Sequence, residues 1–411
     1  MEPLAAESPT LKRVLRGELC SGCGLCAGVS GGAIAMDSTP PGYNRPQMRG
    51  DLAAAAERTI AVACPGAVVA PWPPGPRTHP YWGPIRQALT GAATDPVVGF
   101  EGSSGGAISA LLIHALNSGL VDRVLHIAAD PDAPTRNVAV VSRTAEQVLA
   151  GAGSRYTASS PLAQIDAVLD EGGAVAFVGK PCDASALRQL ARRDPRVARH
   201  VPLILSFFCG GIPSHDGVGR VLDAMGIGQA PLKAFRFRGR GWPGNAAAVT
   251  LDDRTAEMTY HESWGGYLSK EVQFRCKICP DAVGGVADIA CADAWYGDEE
   301  GYPKFEEAEG RSLIVVRTEA GERLLQAAMA AGALAAEPLN PDEIDKMQPA
   351  QARRKRLVLA RTAALPLTLQ PRPRMSGLRV FQAARRESIS LSVKNLLGTI
   401  RRTLSGRRSR L

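Results

Sequence analysis

The chain has 411 residues, 45% of them hydrophobic, which is room for two or three domains with cores of their own. Its nine cysteines are odd in number and clustered along a long chain, which excludes the disulfide framework of a small secreted fold. The net charge of +8 conceals a split: positions 351–411 hold 16 Lys and Arg against one acid, Glu387, so the first 350 residues carry 32 basic and 39 acidic side chains, and the body does not read as nucleic-acid binding.

Met1 to Glu18 contains no unbroken apolar stretch of signal-peptide length, and no window approaches the roughly 18 apolar residues of a membrane span. The expected setting is cytoplasmic, with reduced thiols. The first motif is C-S-G-C-G-L-C, which places Cys20, Cys23 and Cys26 at two-residue intervals, and a fourth cysteine, Cys64, stands directly before Pro65. Three close thiolates plus a distant one followed by proline is how a chain holds a 4Fe-4S cluster, whereas zinc sites use two separate C-x2-C knuckles. A ferredoxin run would carry its next cysteine at the position of Ser30, so one cluster is expected in this segment, closed by Cys64.

A proline-rich stretch follows from Pro71 to Pro84 and reads as a stiff extended linker. Gly102, Ser103, Ser104, Gly105 and Gly106 then open a helix whose apolar face is Ile108, Leu111, Leu112, Ala115 and Leu116, closed by Gly119. Val124 to Ala129 is a predicted strand. Ser160-Pro161 starts a helix burying Leu162, Ile165, Val168 and Leu169, and the strand Ala174 to Val178 follows. The turn G-K-P-C leads through Cys182 into a helix carrying Leu187 and Leu190, and the strand Leu203 to Phe208 ends at Cys209.

This alternation predicts an α/β fold (α+β overall): a small ferredoxin-like cluster segment and a domain with a mainly parallel sheet. Ligands of such sheets bind beyond the carboxyl ends of the strands, where Cys182 and Cys209 both stand. Cys276 and Cys279 in R-C-K-I-C-P-D and Cys291 bring the candidates for a second four-ligand site to five. The favoured set is Cys182, Cys209, Cys276 and Cys279; the plain alternative is that Cys182 and Cys209 are ordinary buried small hydrophobes. The expected divisions are 1–70, the cluster segment; 71–84, the linker; 85–170 and 171–345, two α/β regions; and 346–411, a basic tail. Within the tail, Ile389, Leu391, Val393, Leu396, Leu397, Ile400 and Leu404 fall mostly on one helical face, with Lys394, Arg401 and Arg402 on or beside the other. Arg407, Arg408 and Arg410 extend the charge. The pattern suits peripheral contact with an anionic inner membrane face; the alternative is a disordered or self-packing tail that offsets the charge of the acidic body.

Taken in order, C-S-G-C-G-L-C with a later C-P-G, S-S-G-G opening a helix, G-S-R-Y (Gly153 to Tyr156), G-K-P-C, F-F-C-G-G, C-K-I-C and A-D-I-A-C-A-D-A-W resemble the coenzyme F-420 hydrogenase/dehydrogenase beta-subunit family, from about residue 18 to 335. The resemblance implies an FAD flavoprotein with one or two 4Fe-4S clusters. It would pass electrons between a ferredoxin or deazaflavin (coenzyme F-420) type partner and an acceptor, as an enzyme or as a relay beta subunit; relatives include reductases of chlorophyll-type tetrapyrroles. Lys180, Asp183, Cys291 and Ala292 depart from the family's usual residues, which leaves open whether Cys291 joins or replaces a ligand. The flavin residues implied are Gly102 to Gly106, at a helix start that favours a pyrophosphate, with Arg155 as a phosphate contact and Tyr156 as a stacking partner. Lys180 is a candidate positive charge near the flavin ring; its plain reading is a solvated turn lysine. Gly239 to Gly244 matches G-x-G-x-x-G but has Pro243 where a helix should begin, and is set aside. The six histidines have no metal spacing, and His215 is the one considered as a proton donor.

Overall fold

The computed structural model describes residues 8–295, 297, 304 and 306–406. An eight-stranded sheet organises the chain. Its strands, in chain order, are β1 (Gln87–Ala93), β2 (Arg123–Ala129), β3 (Asn137–Ser142), β4 (Val175–Val178), β5 (Leu203–Phe207), β6 (Ile289–Asp293), β7 (Ser312–Val316) and β8 (Leu334–Pro338). They lie in the spatial order β8-β1-β7-β6-β5-β4-β2-β3. The centre β6-β5-β4-β2 is parallel, and both flanks pair antiparallel. Because β1 and β6 both oppose β7, five of the eight strands run the same way.

Both faces of the sheet are covered, which is why its central strands read as near-continuous apolar runs. Side chains alternate between two cores: Phe177, Ile204, Leu313 and Val315 enter one, while Ala176, Leu203, Leu205, Ile314 and Val316 enter the other. The helix Ala107–Asn117 lays Leu111, Leu112 and Ala115 on the second core, and Pro181–Leu190 lays Leu187 and Leu190 on the first. Residues 85–170 and 171–345 contribute strands to one shared sheet, so the expected division between them falls inside a single sheet.

The N-terminal segment is a helix Pro9–Arg16, a hairpin Ile34–Thr39 with Tyr43–Met48, and a helix Ala54–Ala63. Residues 71–84 contain no helix, as their prolines require, but they do not span a gap. Trp82 is fully buried and stacks on Phe208 at 5.8 Å, and Trp72 lies in the same core. The anchoring reason is the aromatic content of the stretch, which composition read only as stiffness.

The C-terminal region is built into the body. The helix Pro349–Leu367 buries Leu357, Val358, Ala364 and Leu365. Ending the chain at Gln348 would therefore open the core. The helix Ile389–Leu404 turns Thr399 and Thr403 inward, and Asn395 accepts from Arg361 Nε at 3.1 Å. Its aliphatic stripe is left outward: Ile389, Val393, Leu397 and Leu404 are exposed. Arg407, Arg408 and Arg410 lie outside the described residues. No helix among the described residues is long and apolar enough to cross a membrane.

Candidate redox centres

The C-S-G-C-G-L-C loop reverses direction at Gly22 and Gly24, whose φ values of 77° and 86° favour glycine. A Cβ on Gly24 would come within 2.7 Å of the Ala163 nitrogen, so the loop sits directly against the 160–163 segment. Cys23 accepts there from the Leu162 N–H through its carbonyl, and Ser160 donates to Gly22 O at 2.8 Å. Cys64 caps the end of the helix Ala54–Ala63. Cys20, Cys23, Cys26 and Cys64 are all buried.

The cysteines fall into two neighbourhoods, with Asp183 and Lys180 acting on both Cys23 and Cys182. Cys26 is influenced by Cys23, Cys20 and Cys64, whereas Cys209 is influenced by Cys276 and Cys279, and Cys182 by Cys209 and Cys276. Cys182 follows β4 and Cys209 follows β5, and these strands are parallel neighbours, so both thiols lie at one carboxyl edge of the sheet. Cys291 stands apart. It sits within β6 in an apolar core, and burial alone pushes its thiol up to about 12. It is packing, and its strand position explains why sequence left it open.

The two quartets meet across residues 271–278. Phe274 and Ile278 share a core with Cys20, Cys26 and Cys64. Tyr43 donates to Glu271 O at 2.7 Å, Arg45 to Gln273 Oε1 at 3.1 Å, and Arg275 Nη2 to Pro65 O at 3.0 Å. The C-terminal helix closes the second quartet from outside: Gln351 and Arg354 donate to Cys209 O at 3.0 and 2.9 Å, Lys355 to Pro280 O, and Arg361 to Lys277 O at 2.9 Å.

The surroundings are those of an anion at each quartet. Burial raises the thiols, Cys64 to about 11 and Cys209 to about 12, so thiolates there need a compensating cation. Backbone N–H groups of Leu25, Ala27, Gly66, Ala67 and Gly211 are donated to Cys23, Cys26, Cys64 and Cys209. Buried donors without a protein partner remain at Ser21 Oγ and at Arg275 Nε and Nη1. Among the described residues no three His, Cys, Asp or Glu side chains converge tightly enough for a single ion. Four thiols in each group, with unused N–H donors beside the first, are the donor chemistry that a 4Fe-4S cluster would take.

The residues singled out for a flavin are differently engaged. Gly105 and Gly106 have φ of 76° and 71°, but a Cβ on them would strike Gly310 O and Val98 O at 2.4 Å, so their small size serves packing within the chain. Ser103 Oγ accepts from Ser154 N at 2.8 Å, and Ser104 donates to Asp293. Arg155 is spent on Asn137 Oδ1, Pro134 O and Arg136 O. Their side chains are thus engaged within the chain. Tyr156 does stand in an aromatic wall, 4.8 Å from Trp264, and Trp264 packs on Gly210 beside Cys209. Lys180 is buried, not solvated: its Nζ is 2.8 Å from Asp183 and 2.7 Å from Ser159 Oγ. Burial alone would lower its pKa, but Asp183 outweighs that and holds the ammonium charged. The Gly239 to Gly244 loop joins the antiparallel strands Leu232–Arg236 and Ala246–Thr250, with no helix after it. His215 bonds Thr135 Oγ1 at 3.0 Å.

Sequence reasoning passed over the ion pair between buried Arg238 and half-buried Asp293. Arg238 meets both carboxylate oxygens at 2.9 and 3.0 Å, stacks over Tyr260 and Trp295, and Trp242 Nε1 donates to the same carboxylate at 3.0 Å. The A-C-A-D-A-W motif carried the only signal, since an acid closing an apolar strand needs a partner.

A mainly parallel α/β sheet with cysteines gathered at and beside its carboxyl edge is the frame of the molecule. The two profiles of the coenzyme F420 hydrogenase/dehydrogenase beta subunit, one for its N-terminal part and one for its C-terminal part, match residues 88–165 and 172–342, and the chain belongs to this family. It is 28% identical over 305 residues to the coenzyme F420 hydrogenase subunit beta of Methanococcus voltae, covering 70% of this chain and 99% of that protein. It is 23% identical to the chloroplastic 7-hydroxymethyl chlorophyll a reductase of Oryza sativa subsp. japonica, over 60% of this chain and 50% of the other. A chain in the F420-reducing [NiFe] hydrogenase complex from Methanosarcina barkeri shares the fold, with TM-score 0.54 and 23% identity over 70% of this chain and 96% of that one.

Proposed function

We propose that this member of a family of oxidoreductase subunits is an electron relay. It holds one 4Fe-4S cluster on Cys20, Cys23, Cys26 and Cys64 and a second on Cys182, Cys209, Cys276 and Cys279. The carrying observation is that eight of nine cysteines separate into two quartets joined through residues 271–278. The protein's contribution is burial, N–H donors and hydrogen bonds between the ligand segments, which together keep water off the thiolates and fix their spacing.

A flavin of the FAD type against Tyr156 and Trp264 is the third group in this reading, supported by the family and by the aromatic wall beside Cys209. It would exchange one and two electrons between the clusters and a ferredoxin- or deazaflavin-type partner. A relay is favoured over a substrate-specific tetrapyrrole reductase by the relatives that are subunits of larger complexes; two clefts, of about 510 and 470 Å³, lie away from the aromatic wall. The first, lined by Arg188, Ile204 and Asp288, is at the amino ends of β5 and β6. Anaerobic purification with iron, sulfide and flavin counted should give about eight irons and one flavin per chain, reducible by ferredoxin or deazaflavin. Four irons that Cys182→Ala leaves untouched would refute the second centre.

The partner reading includes an anionic bilayer. The outward stripe of Ile389, Val393, Leu397 and Leu404 is edged by exposed Lys394 and Arg401, within a region of 16 basic residues and one acid. Each cation near an anionic leaflet contributes roughly 1 kcal/mol, and the aliphatic stripe suits insertion at the headgroup boundary. Full-length protein should sediment with anionic vesicles, less so with added salt, and Val393→Asp with Leu397→Asp should abolish this while leaving the fold intact. Binding to neutral vesicles alike, or a stripe-dependent dimer in place of lipid binding, would overturn the assignment.

A further inference from the structure

Arg275 is 2% exposed, and no carboxylate among the described residues pairs with it. A guanidinium stays charged at any physiological pH, and a buried cation without an anion is heavily unfavourable. Its hydrogen-bond partner among the described residues is the Pro65 carbonyl, which leaves Nε–H and Nη1–H buried and unused. That one bond is informative. Pro65 follows Cys64 directly, and Arg275 precedes Cys276 directly, so the side chain crosses from the ligand segment of one quartet to that of the other. Its positive charge acts on both Cys64 and Cys279. Next to it, Gln273 Nε2 reaches Ser21 O and Cys276 Sγ, both at 3.5 Å, and so spans the same two segments with a neutral group.

We infer that Arg275 is the shared counter-ion of the two clusters: its free N–H groups donate to cluster sulfur, and its charge holds both reduction potentials up. The inference rests on the two-cluster reading. Each cluster gains negative charge when it accepts an electron, so a fixed cation between them stabilises the reduced forms of both. It also lowers the repulsion that an electron on one cluster exerts on the other. Arg275 touches no substrate and is a positioning residue for electrons. Lysine in its place would keep the charge but present no rigid fork of donors.

The test uses the full-length protein, purified anaerobically, as wild type, Arg275→Gln and Arg275→Lys. Iron is counted and each cluster's midpoint is read by EPR-monitored redox titration. Wild type with eight irons, both midpoints moved to more negative potential in Arg275→Gln, and intermediate midpoints in Arg275→Lys are the expected results. If Arg275→Gln does not assemble its clusters, the Lys variant alone decides. Midpoints equal to wild type in whichever variants retain eight irons overturn the inference while leaving the two clusters standing. A shift confined to one cluster also overturns it, because a shared counter-ion must act on both. A wild type with only four irons refutes the two-cluster reading itself, and is separable from either result.

Discussion

Cys64→Ala should strip or convert the N-terminal cluster and leave the second quartet filled, so that iron falls from about eight per chain toward four and one EPR signal is lost or changed in type. The effect should be large because Cys64 is the one proposed ligand of its quartet outside the 20–26 loop. It caps the helix Ala54–Ala63, and the Gly66 and Ala67 N–H groups point at its sulfur. No other cysteine can take over, since the rest belong to the second quartet or, as Cys291, to an apolar core. Flavin content should not change, because the aromatic wall at Tyr156 and Trp264 is on the Cys209 side. Unaltered iron and an unaltered spectrum in this variant would remove the assignment.

Asp293→Ala should destabilise the protein by about 3–5 kcal/mol, the usual cost of leaving one half of a buried ion pair uncompensated. Arg238 is 1% exposed and would lose both of its carboxylate contacts, while Trp242 and Ser104 would lose an acceptor. Burial acts to raise the Asp293 pKa, but Arg238 and the donors around it outweigh burial and hold it below the ordinary carboxylate range. The sign follows. A depressed carboxylate stabilises the fold fully above its unfolded value of about 3.9, and this is lost as pH falls through the lower folded value. The gap in urea midpoint between wild type and Asp293→Asn should therefore be widest above about pH 4 and close in stronger acid. A variant that melts within 1 kcal/mol of wild type at pH 7 would show that the pair contributes little.

Much of the central sheet was legible because buried parallel strands announce themselves. Val175–Val178 is an unbroken apolar run and Leu203–Phe207 is broken only by Ser206, both bounded by turns, and the glycines and prolines around them punctuate the helices. The hairpin at Ile34–Met48 and the small sheet Leu232–Met258 were not read, because their strands alternate weakly and carry Pro46 and several alanines. The outward aliphatic stripe of Ile389–Leu404 was legible as periodicity, but periodicity does not say which face meets the body. There Thr399 and Thr403 turned inward.

The sequence by itself determined that Cys20, Cys23 and Cys26 lie together, because C-x2-C-x2-C is local chemistry: three cysteines within seven residues stay close whatever the rest of the chain does. It also determined that Cys182 and Cys209 stand at strand ends. Only the tertiary structure decided that β4 and β5 are neighbours, that Cys291 belongs to the core, and that the Arg275 bond to Pro65 joins the two ligand segments. The physical reason is sequence separation. Pro65 and Arg275, like Arg238 and Asp293, are brought together by burial of apolar faces that lie between them along the chain, and no local propensity encodes which buried donor is left without a partner.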